Sequence, residues 1–288
     1  MDVTVVGSCN VDLISYVPHL PKPGETLQGS KFSMGYGGKG ANQCVMASKL
    51  GASTAMISKV GKDTFGDGFI KNFQDLGVNT AQNSIVIVPG ANLLLNSDDL
   101  SKAESFIQTS KVVVCQLEID PVISLAALKV ARQQGSVKTV FNPAPALPSL
   151  DKEFYMNCDV IVPNETEAEI LTGLPVQTVE EADIAAKRLR ELGCKNVIVT
   201  LGSNGCIVLE QSSDGIIHLP APSVNAVDTT GAGDSFIGSL AYFMSKRPDL
   251  SLTECARRAI QIASVSVQYP GTQTSFPTQD KLPEQLFS

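Results

Sequence analysis

The chain has 288 residues, 43% hydrophobic and 18% charged, enough for one large α/β domain or two smaller ones with a sizeable core. A net charge of −7 and a pI near 4.9 argue against nucleic acid or an anionic membrane as partner, and an acidic protein that handles phosphates would need a divalent metal. The seven cysteines are scattered without a Cys-x-x-Cys pair and read as reduced core residues of a cytoplasmic protein, while two distant histidines give no basis for a histidine zinc site or a catalytic triad.

Residues 3–6 are expected to form a short buried strand, entered from Met1 without the basic and apolar regions of a signal peptide. No apolar run is long enough to span a bilayer. The strand ends in Gly7-Ser8-Cys9-Asn10-Val11-Asp12. Ligands of open α/β sheets bind beyond the carboxyl ends of strands, so Asn10 and Asp12 are placed for a polar ligand, although both also favour turns. Residues 13–17 and 26–34 read as two more strands, and the prolines between them exclude a connecting helix. The pair would form a small antiparallel arm able to lie over a site as a lid.

Gly35-Tyr36-Gly37-Gly38-Lys39-Gly40-Ala41-Asn42-Gln43 opens a helix expected to reach residue 50, with Gly51 as its stop. Its glycines satisfy G-x-G-x-x-G, but the next strand, 53–60, carries Lys59 near its end where a dinucleotide site would need an acid. Nor is it a P-loop, because Lys39 precedes Gly40 and not Ser or Thr. What remains is a glycine-rich loop carrying Lys39 and Asn42, suited to several hydroxyls, or a packing loop.

Strand and helix alternate from there. Helices are expected at 64–76, 97–109 and 121–134, and strands at 84–88, 111–117 (before Glu118) and 137–141 (before Asn142). A strand at 160–162 delivers Asn164-Glu165-Thr166-Glu167, a good capping box whose Asn164 and Glu167 could also hold a hydrated Mg²⁺. A helix at 179–192 and a strand at 196–201 lead to Gly202-Ser203-Asn204-Gly205, a turn suited to exposing backbone amides. Strands at 206–210 and 216–219 and a late helix at 252–268 complete a series that implies a mostly parallel, Rossmann-like sheet.

Between those last elements lies Asp228-Thr229-Thr230-Gly231-Ala232-Gly233-Asp234-Ser235-Phe236, running into an apolar helix at 236–244. A helix N-terminus with glycines is an anion site, and a carboxylate beside it suits phosphoryl transfer onto a hydroxyl. Asp234 would take the proton and the Gly231, Ala232 and Gly233 amides would bear the charge. A tight turn with an acid favoured by the helix dipole is the plainer reading.

These two glycine-rich stretches resemble the two signatures of the PfkB carbohydrate kinase family. Gln116-Leu117-Glu118, Asn142-Pro143-Ala144-Pro145 and Gly271-Thr272-Gln273 extend the resemblance nearly end to end. It implies a three-layer α/β/α sandwich with a small β-sheet lid, the sandwich from 1–12 and 38–288 and the lid from 13–37, with 81–88 contributing. It also implies ATP-dependent phosphorylation of D-ribose at O5, or of another sugar or a nucleoside. By position, Asp234 becomes the base and Asn10, Asp12, Gly38, Lys39, Asn42 and Glu118 the sugar ligands. Asn164, Glu167, Thr200, Gly202, Asn204, Gly205 and Gly233 would serve ATP and Mg²⁺. Asp228, Thr230, Ser266, Tyr269, Gly271 and Ser275 would surround a monovalent cation, K⁺. The expected location is the cytoplasm or nucleus, and the family's usual dimer contact is the lid.

Two departures stand out. Where family members carry a further strand and turn after Gly77-Val78-Asn79-Thr80, this chain passes directly to Ala81, so about 15 to 20 residues are absent. A shortened lid implies an impaired dimer, and a weak sugar- or nucleotide-binding variant becomes the alternative to an active kinase. Ile260 stands where many members place an asparagine beside the adenine.

Overall fold

A computed structural model describes residues 1–80 and 90–288. The chain opens with β1 (Val3–Val6), buried throughout, and continues into an antiparallel pair, β2 (Asn10–Tyr16) and β3 (Lys31–Gly37). Next come α1 (Lys39–Lys49), β4 (Thr54–Ile57), α2 (Thr64–Asp75) and the two-residue strand β5 (Asn79–Thr80). Beyond residue 89 the short helices α3 (Ser97–Lys102) and α4 (Glu104–Gln108) precede β6 (Val112–Cys115), α5 (Pro121–Gln133) and β7 (Lys138–Phe141). The order then runs α6 (Lys152–Asn157), β8 (Val160–Ile161), α7 (Glu165–Thr172), α8 (Val179–Glu191) and β9 (Asn196–Thr200). It closes with β10 (Cys206–Leu209), β11 (Ile217–Leu219), α9 (Ala232–Lys246) and α10 (Leu252–Ser266).

Among the described residues nine strands join in the order β11-β10-β9-β8-β7-β6-β1-β4-β5, parallel except where β10 meets β9 and β11. The strand period of two sorts their side chains between two cores. Val3, Val5, Val112, Val114 and Val140 face a cluster with Cys44, Met46, Phe236, Leu240, Phe243 and Ala256. Val6, Val113, Cys115, Phe141 and Val199 face the opposite cluster, built with Ile123, Leu128, Ala185 and Leu189. The result is the expected α/β/α sandwich. All seven cysteines are free thiols and six are buried. Among the described residues no helix is long and apolar enough to cross a membrane.

The antiparallel β2–β3 pair is the small lid sheet, separate from the main one. Its register, with Asp12 opposite Gly35 and Ser15 opposite Phe32, carries β3 to Gly37, later than the expected 26–34. The strand persists through the glycines because they pair with the start of β2, up to Asn10 opposite Gly37. Residues 97–109, expected as one helix, form two that meet at Ala103. The first is fixed by an Asn96–Asp99 capping box and by the buried Lys59–Asp99 ion pair at 2.7 Å. Lys59, which argued against a dinucleotide site, thus serves to anchor α3. The strand expected at 84–88 lies outside the described residues. α6, capped by Asp151, was not anticipated, and α9 starts at Ala232, four residues before the expected 236.

What places the site is the close approach of α1 to the end of β1. A Cβ on Gly40 would lie 2.6 Å from the Ser8 nitrogen and 2.8 Å from the Gly7 carbonyl carbon. Gly38, at φ 90°, turns the chain into the helix beside Asn10. Gly40→Ala is therefore expected to push α1 off β1 and destabilise the fold by about 1–3 kcal/mol. Urea denaturation checks this, and an unchanged midpoint would contradict the close approach.

Candidate active site

Gly231, at φ 79°, starts α9 and brings Asp234 into its first turn. Ahead of it Asp228 ties two loops together, accepting the Thr230 N–H on Oδ1 and the Gly271 N–H on Oδ2, each at 2.9 Å. The Thr230 side chain foremost, together with these two backbone bonds, holds its carboxyl below the ordinary range. The Ala232 N–H donates to the Thr229 carbonyl at 3.2 Å, so this expected anion-hole donor is engaged in the turn. Among the described residues the N–H groups of Gly231, Gly233 and Asp234 meet no acceptor. Gly233 is exposed and a Cβ there would meet nothing within 4 Å, leaving room for an anion to reach the backbone.

Asp234 itself is 8% exposed. Asn42 donates to its Oδ2 and Gln43 to its Oδ1, both at 2.9 Å. Consecutive residues of α1 thus satisfy both oxygens of one carboxylate. Gln43 is held from behind by Gln116 Nε2, which donates to Gln43 Oε1 at 2.6 Å, and Gln43 Nε2 also reaches Asn142 Oδ1 at 3.2 Å. Burial pushes the Asp234 carboxyl above its ordinary 3.8, against the lowering effects of Lys39 and the two amides, and Glu118 adds to the rise. Burial is the larger influence.

At the end of β1, Glu118 Oε2 accepts the Ser8 hydroxyl at 2.5 Å and the Lys39 N–H at 2.8 Å. Asp12 stands near enough to Glu118 that burial and this neighbour both raise its carboxyl. Asn10 accepts on Oδ1 from Asn92 Nδ2 at 2.7 Å, while Asn92 Oδ1 accepts the Cys9 N–H at 3.0 Å. Asn92 therefore fixes Asn10 with its own N–H groups free to donate. Asn10 and Asp12 belong to β2, so the lid sheet and these expected sugar ligands share one strand.

A cleft of about 170 Å³ continues from Asp234 and Lys39 past Asn142 and Gly233 to Asn164, Glu167 and Thr200. Asn164 and Glu167 do form the capping box, with bonds of 2.8 and 2.9 Å, and Thr200 bridges to Asn164 along the sheet edge. Burial raises the Glu167 carboxyl, and Lys39 opposes it. Gly202 and Asn204 lie exposed in the turn after β9, whereas Gly205 is buried at φ 88° against β11. Of the expected cation residues, Thr230 and Tyr269 are exposed and Ser266 and Ser275 buried. Asp228 joins their two loops through Gly271. Ile260 is 6% exposed and packs in the apolar core.

The model of the pfkB family carbohydrate kinases matches residues 1–83 and 78–279. The chain belongs to the pfkB family of carbohydrate kinases. A ribokinase of Mus musculus is 49% identical over 306 aligned positions, covering 99% of this chain and 94% of that protein. A deoxyribokinase of Salmonella typhi is 39% identical, covering 99% of both. The structure of an Arabidopsis thaliana ribokinase complexed with ribose and ATP superposes with a TM-score of 0.85 at 31% identity, covering 99% of this chain and 98% of that one. The mouse alignment is 18 positions longer than this 288-residue chain, and the family match is in two parts that overlap at 78–83, where a shortened segment is expected from the sequence.

Sequence reasoning left Gln43, Asn92, Gln116 and Gln273 of this kinase without roles. Gln43 and Gln273 did fall inside quoted motifs, but only the fold shows which amide meets which. Asp234 yields a direct test of the site's electrostatics. With a folded pKa above 3.8, the folded chain holds this proton more tightly than the unfolded chain. Stability contributed by the group should fall as pH rises through that window, by up to about 1.4 kcal/mol per unit, and then level off. The stability of the parent minus that of Asp234→Ala, from urea titrations between about pH 4 and 8, should decline accordingly. A flat or rising difference would mean that Lys39 and the amides outweigh burial.

Proposed function

We propose that this chain transfers the γ-phosphoryl group of ATP to the 5-hydroxyl of D-ribose. The observation that carries the proposal is a buried carboxylate, Asp234, in the first turn of a helix beside amides with room for an anion. Its full-length likeness to the mouse ribokinase and the Arabidopsis thaliana ribokinase supports ribose as the sugar. Asn10, Asp12, Gly38, Lys39, Asn42 and Glu118 form a polar set suited to a small, fully hydroxylated ligand.

Asp234 takes the proton of the 5-hydroxyl as that oxygen forms its bond to the γ-phosphorus. The bond from that phosphorus to the bridging oxygen breaks, and ADP leaves with the electron pair. The N–H groups of Gly231 and Gly233 stabilise charge on the transferring group, joined by Ala232 once it turns from Thr229. Lys39, which faces both Asp234 and Glu167, lies between sugar and nucleotide and offsets the negative charge that gathers there. Gly202, Asn204 and Gly205 form the turn beside which the nucleotide lies, next to Thr200.

Asn164 and Glu167 fit Mg²⁺ only as an ion that keeps waters and phosphate oxygens as its other ligands, since no cluster of three acidic, histidine or cysteine side chains occurs among the described residues. When bound, the ion would neutralise phosphate charge. The carbonyl oxygens of Asp228, Thr230, Tyr269 and Gly271 accept no hydrogen bond among the described residues, which fits a cage for K⁺ with Ser266 and Ser275. When bound, K⁺ would order the adjoining turn. The free, mostly buried thiols fit the cytoplasm. Exposed Leu13, Phe32 and Met34 make the lid, 13–37 in our division from a 1–12 and 38–288 sandwich, the surface on which two copies would meet. The direct passage from Thr80 to Ala81, without a further strand and turn, would weaken that contact.

Asp234→Asn is expected to lower kcat by about 10²–10⁴ with little change in the ATP KM. Unchanged turnover would remove Asp234 from the mechanism. In the same assay ribose should exceed 2-deoxyribose in kcat/KM, because a site built for a hydroxyl leaves its partners unpaired without it. The reverse preference would assign the deoxy sugar.

A further inference from the structure

The polar contacts of Asp234 continue past Asn42. Gln273 donates its Nε2–H to Asn42 Oδ1 at 3.1 Å, and Asn72, on α2, donates its Nδ2–H to Gln273 Oε1 at 2.9 Å. Asn42 then donates to Asp234 Oδ2. An ionised carboxylate can only accept, so the Asp234 end fixes the sense of all three amides. Turning any one of them over would set oxygen against oxygen. Asn42 and Gln273 are 4% and 7% exposed, so water is poorly placed to repair such a mismatch.

Gln273 is itself held from a second side. Lys49, at the far end of α1, donates its ammonium to the carbonyls of Gln273 at 2.6 Å and Phe276 at 2.9 Å. The 273–276 loop is therefore gripped at both ends of α1. The other amide arm differs, because Gln116 Oε1, behind Gln43, is buried without a hydrogen-bond partner. Among the described residues the arm through Gln273, and not the one through Gln116, ends on a further donor.

We propose that Gln273, backed by Asn72, is a positioning residue that keeps the Asn42 N–H turned toward Asp234 and so sets the proton affinity of the base. The inference rests on the reading of Asp234 as that base. The charged groups facing Asp234 are Lys39 at the start of α1, Glu118 after β6 and Glu167 on α7. None of them touches Gln273, so replacing Gln273 leaves their contribution in place.

The test is a double-mutant cycle read from the pH dependence of kcat, with ribose, MgATP and K⁺ saturating. Gln273→Glu can still accept from Asn72 but offers Asn42 no donor, so the Asn42 amide loses its fixed sense. The acid limb of kcat should move up by about 1–2 pH units, equivalent to one charge-assisted hydrogen bond, with the ATP KM unchanged. In an Asn42→Ala background the same substitution should move the limb no further, because its path to Asp234 is gone. An equal shift in both backgrounds would assign the effect to the added charge and overturn the relay. A limb that stays put while kcat or thermal stability falls would make Gln273 merely structural. If Gln273→Glu does not fold, the neutral Gln273→Leu carries the same comparison, with an expected shift of about 0.5–1 unit in the parent background alone. Asp234→Asn run alongside separates the two levels. Full turnover in that variant removes the base reading itself, whereas lost turnover with an unmoved Gln273 limb removes only the relay.

Discussion

Burying the negative charge of Asp234 is the constraint on which the rest of this structure depends. An isolated carboxylate at 8% exposure would be costly, and the fold meets that cost with polar groups drawn from distant parts of the chain. Both amides, Asn42 and Gln43, and the cation, Lys39, come from the first turn of α1. Each requires α1 to lie tightly on the end of β1, which is why Gly7 and Gly40 meet without side chains between them. The carboxylate stays raised in proton affinity yet remains bonded, a compromise suited to a group that must accept a proton and later release it.

The same packing joins the two halves of the cleft. Glu118 collects Ser8 and the Lys39 backbone at the end proposed for the sugar, while the capping box of Asn164 and Glu167 forms the end proposed for the nucleotide. Lys39 stands between them. The capping box leaves room for the proposed ligand role of the same motif. Both its backbone N–H groups are satisfied within the box, and Asn164 is still exposed at the mouth of the cleft.

Much of this was legible in the sequence. The alternation of strand and helix segments pointed to the parallel sheet, and the glycine signatures pointed to the Lys39 and Asp234 loops because a glycine requirement is local and leaves a local trace. The amide network left no such trace. Gln43 meets Asp234 across 191 positions and Gln273 meets Asn42 across 231, so no spacing rule connects them. Asn92 was silent for the same reason, since its partner Asn10 lies 82 positions away. The early start of α9 was missed because Gly233 and Asp234 read as loop residues, although a left-handed Gly231 makes them the first turn of a helix. The division of residues 97–109 at Ala103 depends on a buried ion pair to Lys59, again a tertiary partner that helical periodicity does not encode.

The geometry around Asp234 has to deliver phosphate to a sugar and not to water, even in this shorter member of the family. The most direct measurement is the stoichiometry of a single reaction of the purified chain with ATP and D-ribose, following ADP, inorganic phosphate and sugar phosphate by phosphorus NMR. The account predicts one ribose 5-phosphate for each ADP and no inorganic phosphate above the level without protein. ADP matched by inorganic phosphate, with no sugar phosphate formed, would contradict it.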